Sequence, residues 1–114
     1  MGVADALIQA SLLGEAVDNG PVVVFVVDDD RRFVAVNRAA CSLLGYSREA
    51  MLELRATDVA ESTRWDEIRR GPVSGTAALR RKDGSTVAYR YLAAPTTVAG
   101  MSVYLSVGAA AQTI

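Results

Sequence analysis

The chain has 114 residues, 51% of them hydrophobic and 22% charged, with a formal net charge of −1. That composition suits one folded domain burying roughly two-thirds of its unfolded surface, and it excludes a disordered chain. A near-neutral balance offers no electrostatic footprint for nucleic acid or an anionic membrane. The chain has no histidine, which removes the usual general base, the commonest metal ligand and histidine-ligated haem.

In chain order, residues 3–17 read as a helix. Val3, Ala6, Ala10, Leu13 and Val17 repeat at 3-4-3-4 spacing with Leu7 beside them, a narrow apolar seam of the kind that pairs helices. It serves either as a terminal helix packed on its own domain or as a dimerisation helix. Asn19-Gly20-Pro21 breaks it. Residues 22–27 are β-branched and continuous apart from Phe25, the pattern of a strand buried on both faces. This apolar run is far shorter than the ~18–20 residues that cross a bilayer. The N-terminus lacks a signal-peptide pattern and Cys41 has no disulfide partner, so the expected location is cytoplasmic.

Asp28-Asp29-Asp30-Arg31-Arg32 is a polar turn, and Phe33-Val34-Ala35-Val36 returns as the second strand of a tight antiparallel pair. The three carboxylates point different ways and can pair with the arginines, which favours a solvated turn over a metal site. Asn37 stands where strand gives way to helix. Its side chain can accept from a backbone N–H two or three residues on, as a helix cap does. Gly45 suits the left-handed end of that helix, and Ser47 can cap the next. Residues 57–70 read as a further helical stretch starting at Thr57 or Asp58, with Trp65 and Ile68 apolar and Gly71-Pro72 closing it. From Gly75 the period falls to two. Asp83-Gly84 marks a hairpin, residues 95–100 a loop, and Met101, Val103, Leu105 and Val107 alternate with Ser102, Tyr104 and Ser106. Helices and strands are segregated, which makes the fold class α+β and antiparallel.

This order, with Asn37 on the hinge, resembles a PAS domain. The likeness lies in Asp28-Asp29-Asp30-Arg31-Arg32-Phe33, in Val36-Asn37-Arg38-Ala39-Ala40 through Leu43-Leu44-Gly45-Tyr46-Ser47, and in Arg80-Arg81-Lys82-Asp83-Gly84-Ser85. It implies a five-stranded antiparallel sheet with short helices across one face and an N-terminal flanking helix. The implied organisation is a helix at 1–18 used for dimerisation, the PAS domain at 19–108, and a tail or linker start at 109–114. Such domains hold a ligand, when they have one, between sheet and helices. They dimerise through the N-terminal helix and the outer sheet face, and they signal to attached or partner output domains. The Asp-Ile/Val-Thr word that many signalling members place after the last strand is replaced by Gly108 and Ala109. The reading is therefore either a sensor separated from its output domain or a standalone protein acting on a partner in trans.

The expected function is a sensory and interaction module that binds a small apolar or weakly acidic molecule and dimerises to relay the signal. The alternative is a ligand-free dimerisation or scaffolding domain. The candidate pocket wall is Phe25, Trp65, Leu79, Tyr89, Tyr91, Met101, Val103 and Leu105, with no inward cationic cluster. It is equally the composition of a plain core. Candidate dimer residues are Val3, Leu7, Ala10, Leu13 and Val17 on the helix, with Leu92 and Tyr104 on the outer sheet face beside Arg90. No cofactor is assigned beyond an unidentified small molecule. A cysteinyl flavin is disfavoured, because Cys41 lies on the asparagine-led helix rather than in the Asn-Cys-Arg-like motif of light-sensing members. Catalysis is disfavoured too: Lys82 is the only lysine and sits in a turn, and the helical carboxylates read as surface.

Overall fold

A computed structural model describes residues 3–61 and 64–111. Helix α1 spans Val3–Asn19 and stops before Pro21, whose ring cannot continue a helix. The side chain of Val3 and the tail at 112–114 lie outside the described residues. Strands β1 (Val23–Val27) and β2 (Phe33–Val36) pair antiparallel, with Phe25 opposite Val36. Their turn is knotted by Asp28, whose Oδ1 accepts from the N–H groups of Asp30 and Arg32 at 2.9 and 3.0 Å. The carboxylate thus serves its own turn, as aspartate does in such bends.

Helix α2 (Arg38–Leu44) starts at Asn37, whose Oδ1 accepts from Ala40 N–H at 3.1 Å, and ends at Gly45 with φ 81°. That left-handed value suits glycine at a helix end. Ser47 Oγ accepts from Ala50 N–H at 3.1 Å and caps α3 (Arg48–Met51). The single helical stretch expected over 57–70 is two short helices, α4 (Ala56–Val59) and α5 (Trp65–Arg70). Between them Ala60 turns extended and bridges Leu79 on the sheet. Burying Val59 and Ala60 there outweighs local helix propensity, a weak preference that tertiary packing overrides.

Strands β3 (Val73–Arg80), β4 (Thr86–Val98) and β5 (Met101–Ala110) complete an antiparallel sheet of order β2-β1-β5-β4-β3. The loop expected at 95–100 is instead mostly strand. Val98 pairs with Met101 across Ala99 (φ 50°) and Gly100 (φ 78°), the two positive φ values of a tight hairpin turn. Pro95 is tolerated because β3 stops pairing at Ala93, so Pro95 faces no strand on that edge and needs no donor there.

The short helices α2 to α5 cover one face of the sheet. Ala40, Leu44 and Met51 are fully buried there with Phe25, Phe33, Val59, Leu79, Tyr89 and Tyr104. The other face is different. Val24 and Val26 are only half-buried, so β1 is not buried on both faces. Leu92, on that side, is 50% exposed. α1 projects from the domain, meeting it chiefly at α2 and through an Arg48–Asp18 ion pair of 2.5 Å. Leu7, Leu13 and Val17 are 66%, 68% and 41% exposed, and Ala10 is exposed as well.

Candidate functional site

Residues opposite one another in an antiparallel ladder share a face. Phe25 opposes Ser106, Val27 opposes Tyr104, Tyr91 opposes Gly108, and Ala77 opposes Tyr89. These residues therefore point together toward α4 and α5, where Val59, Ala60, Trp65 and Ile68 close over them. A cavity of about 110 Å³ remains between the two layers. Gly108 helps shape the aromatic wall, because a Cβ there would collide with the carbonyl oxygen of Arg90 and crowd the ring of Tyr89.

The wall is aromatic. Tyr89 stands edge-on to Phe25 at 5.6 Å between centroids and stacks on Tyr91 at 5.9 Å. Across the cavity Trp65 meets Tyr104 edge-on at 4.6 Å. Such geometries suit the ring quadrupoles and orient the walls. Three polar groups are placed among them. The Tyr89 hydroxyl lies 2.9 Å from Ser106 Oγ, and burial pushes the Tyr89 phenol up to about 12. Tyr104 donates to Asp29 at 2.8 Å, and this bond, which holds its proton, raises that phenol as well. Arg64 grips Glu67 with Nε and Nη2 at 3.2 and 2.6 Å and donates from Nη1 to Ser74 O at 3.0 Å. That grip lowers the Glu67 carboxyl.

Arg31 is the unusual member. Its φ is 65°, a left-handed value few residues other than glycine, asparagine or aspartate adopt. Its backbone is fixed on both sides, since its N–H donates to Asp28 O at 2.9 Å and its carbonyl accepts from Ala56 N–H at 2.8 Å. Its guanidinium sits 5.4 Å from the centre of the Trp65 ring, a cation–π placement. Among the described residues it forms no ion pair.

Of the eight candidate wall residues, Phe25, Trp65, Tyr89, Tyr91 and Leu105 touch the cavity. Leu79 is buried in the core and does not line the cavity. Met101 is 59% exposed beside the hairpin turn. Val103 opposes Thr96, and Leu105 opposes Val26 and Ala94, so both stand in the register opposite to Tyr104 and Ser106; Val103 is 3% exposed yet does not line the cavity, and Leu105 reaches the lining from between Tyr104 and Ser106. Strand β5 is thus one residue out of step with the alternation of its apolar residues, a slip that exchanges the two faces of a strand. Tyr104, expected on the outer face, therefore points inward and is 8% exposed. Sequence reasoning also missed Arg31, Arg64 and Ser106 in the lining, so the expected absence of inward cations is corrected. The turn arginines read as solvent groups because nothing in a DDDRR run shows that its backbone is pinned to a later helix. Cys41 lies on α2 and is half-buried, outside this lining.

A family model described as PAS domain matches residues 11–80. No curated protein matches the chain. Among solved structures, a PAS domain from a two-component sensor histidine kinase superposes with TM-score 0.83 at 18% identity, covering 93% of this chain and 99% of that one. The PAS domain of an HTR-like protein from Haloarcula marismortui gives 0.81 at 18% identity, covering 95% and 96%. The PAS domain of nitrogen regulation protein NR(II) from Vibrio parahaemolyticus gives 0.76 at 15% identity, covering 88% and 98%.

Proposed function

The chain belongs to the PAS domain family, and from that premise we propose that it is a sensory module of a signal-transduction protein, taking a small molecule into the cavity and working as a homodimer through α1. The observation that carries the sensory half is the cavity itself: about 110 Å³ kept open between aromatic walls, in a domain whose remaining core is packed around fully buried Leu44 and Met51. Protein interiors leave few voids larger than a water molecule, and a void with convergent polar groups is the ordinary form of a small-molecule site. The size also bounds the occupant. An apolar cavity of about 150 Å³ takes benzene, so a single ring suits this one and a haem or flavin would need the helices to open. The solved relatives named above include a PAS domain from a sensor histidine kinase, which supports an output domain in the same or a partner chain.

The dimerisation half rests on the exposed apolar residues of α1. A ligand-free dimerising scaffold is the second reading, favoured by the absence of any buried polar side-chain atom without a partner among the described residues. Native and denaturing mass spectra of the purified protein, with absorption from 300 to 700 nm, separate the two. A co-purifying small mass lost on denaturation is the expected result. Dimer mass with no small molecule, and no thermal shift on adding one-ring aromatics, would replace the sensor with the scaffold.

A further inference from the structure

The mouth of the cavity carries two arginines of opposite status. Arg64 is spoken for: Glu67 takes two of its donors and Ser74 O a third. Arg31 has its backbone locked and its guanidinium parked over Trp65, yet no carboxylate among the described residues answers its charge. Asp29, in the same turn, is engaged by the Tyr104 hydroxyl. The site thus has one unanswered, preorganised cation at the edge of an apolar chamber of single-ring size.

From this juxtaposition we infer that the cavity selects a single-ring aromatic carboxylate. The ring occupies the space between Tyr89, Tyr91 and Trp65, and the carboxylate pairs with Arg31. The inference rests on the ligand-binding reading above and adds its chemical class. A planar guanidinium donates two parallel hydrogen bonds to a carboxylate, stronger and more directional than neutral ones. A neutral ring would fill the chamber and leave that capacity unused. An ammonium ligand would meet Arg31 head-on. A polyanion would place its second charge beside Asp29 and Glu67, carboxylates already held by Tyr104 and Arg64.

Titration calorimetry with benzoate and with neutral benzyl alcohol tests this, and Trp65, the only tryptophan in the chain, reports by fluorescence whether the probe enters the cavity. Benzoate is expected to bind about tenfold or more tighter than benzyl alcohol, the scale of one charge-assisted contact. Arg31→Asn tests the residue, because asparagine tolerates the left-handed backbone while losing the charge. It should collapse that preference to within about twofold, and Arg31→Lys should restore part of it. Equal affinity for both probes in the parent protein overturns the carboxylate class and leaves a cavity that binds rings. Binding of neither probe overturns the class and the ligand-binding reading together. A preference unchanged in Arg31→Asn, with the fold confirmed by its thermal melt, removes Arg31 from the assignment.

Discussion

Asn37 is 4% exposed, and all four of its side-chain hydrogen-bonding positions are used. Its Oδ1 accepts from Ala40 N–H at 3.1 Å and from Val24 N–H at 3.0 Å. Its Nδ2 donates to Val17 O and Val22 O, both at 2.7 Å. The helix cap was readable in the sequence, because an asparagine between a strand pattern and a helix pattern has a local reason to be there. The other three bonds were not, since they reach 13 to 20 residues back along the chain. One side chain therefore joins the last turn of α1, the start of β1 and the start of α2. Asn37→Asp isolates the two donors: it keeps both acceptor bonds and sets a carboxylate oxygen against two carbonyls. We expect a loss of at least about 2 kcal/mol at pH 7, since buried groups left unsatisfied cost about 1–3 kcal/mol each and charged ones more. Burial and facing carbonyls favour the protonated form of the introduced carboxyl. Relative to the parent, the deficit should therefore shrink as pH falls from 7 toward 5, because protonation restores one donor. Urea unfolding of both proteins across that range measures it, and a pH-independent deficit would place the cost elsewhere than in the lost donors.

At the scale of elements, the legible parts were those with local chemistry: the Asp28 turn, the Gly45 helix end and the Asp83-Gly84 hairpin each follow from one or two residues. Strand β5 was not legible. Met101, Val103, Leu105 and Val107 are more apolar than Ser102, Tyr104 and Ser106, so alternation pointed the wrong set inward. The reason is physical. The outer face of this sheet is apolar as well, with Val24, Val26, Leu105 and Val107 all half-buried, and a strand apolar on both sides carries no pattern that names its core side. Gly108 is the residue that could have set the register. It opposes Tyr91 and leaves no room for a Cβ against Arg90 O and the Tyr89 ring, whereas no glycine is needed on the outward positions of β5. Gly108→Ala should therefore push β5 away from β4 and lower stability by about 1–3 kcal/mol, the usual cost of overpacking a filled site. The same change at Gly14, where a Cβ meets nothing within 4 Å, should be neutral or stabilising, as glycine to alanine inside a helix is worth about 0.5–1 kcal/mol. Melting curves of the two variants give the comparison. Equal effects would mean that the close approach at β5 relaxes without cost.

The whole molecule measures 48 × 30 × 28 Å, and its long dimension accommodates α1, a helix of 17 residues about 25 Å in length at ~1.5 Å per residue. A helix of this length is marginal alone in water and depends on packing its apolar side. Yet α1 exposes Leu7, Leu13 and Val17 on the side the sequence seam marks, and Ile8 (57%) and Leu12 (61%) on another. Ile8 lies about 140° around the helix from Leu13 at ~100° per residue. A seam for one partner helix would leave this second side wet, whereas a helix apolar on two sides fits between two surfaces. The half-covered outer sheet face, with Leu92 50% exposed beside Arg90, supplies a second surface of matching chemistry. Burying a leucine fully is worth about 1.5–3 kcal/mol, so covering these side chains in a homodimer offsets much of the cost of association. Light scattering at about 100 µM should then give twice the chain mass of 12.1 kDa for the parent protein. Leu13→Glu, and separately Leu12→Glu, should each move it to the monomer mass at the same concentration, because a carboxylate in either apolar contact is left without a partner. If Leu13→Glu dissociates the dimer and Leu12→Glu does not, α1 pairs only along the seam and the sheet face stays open. A parent protein that is monomeric at that concentration removes the homodimer from the proposed function.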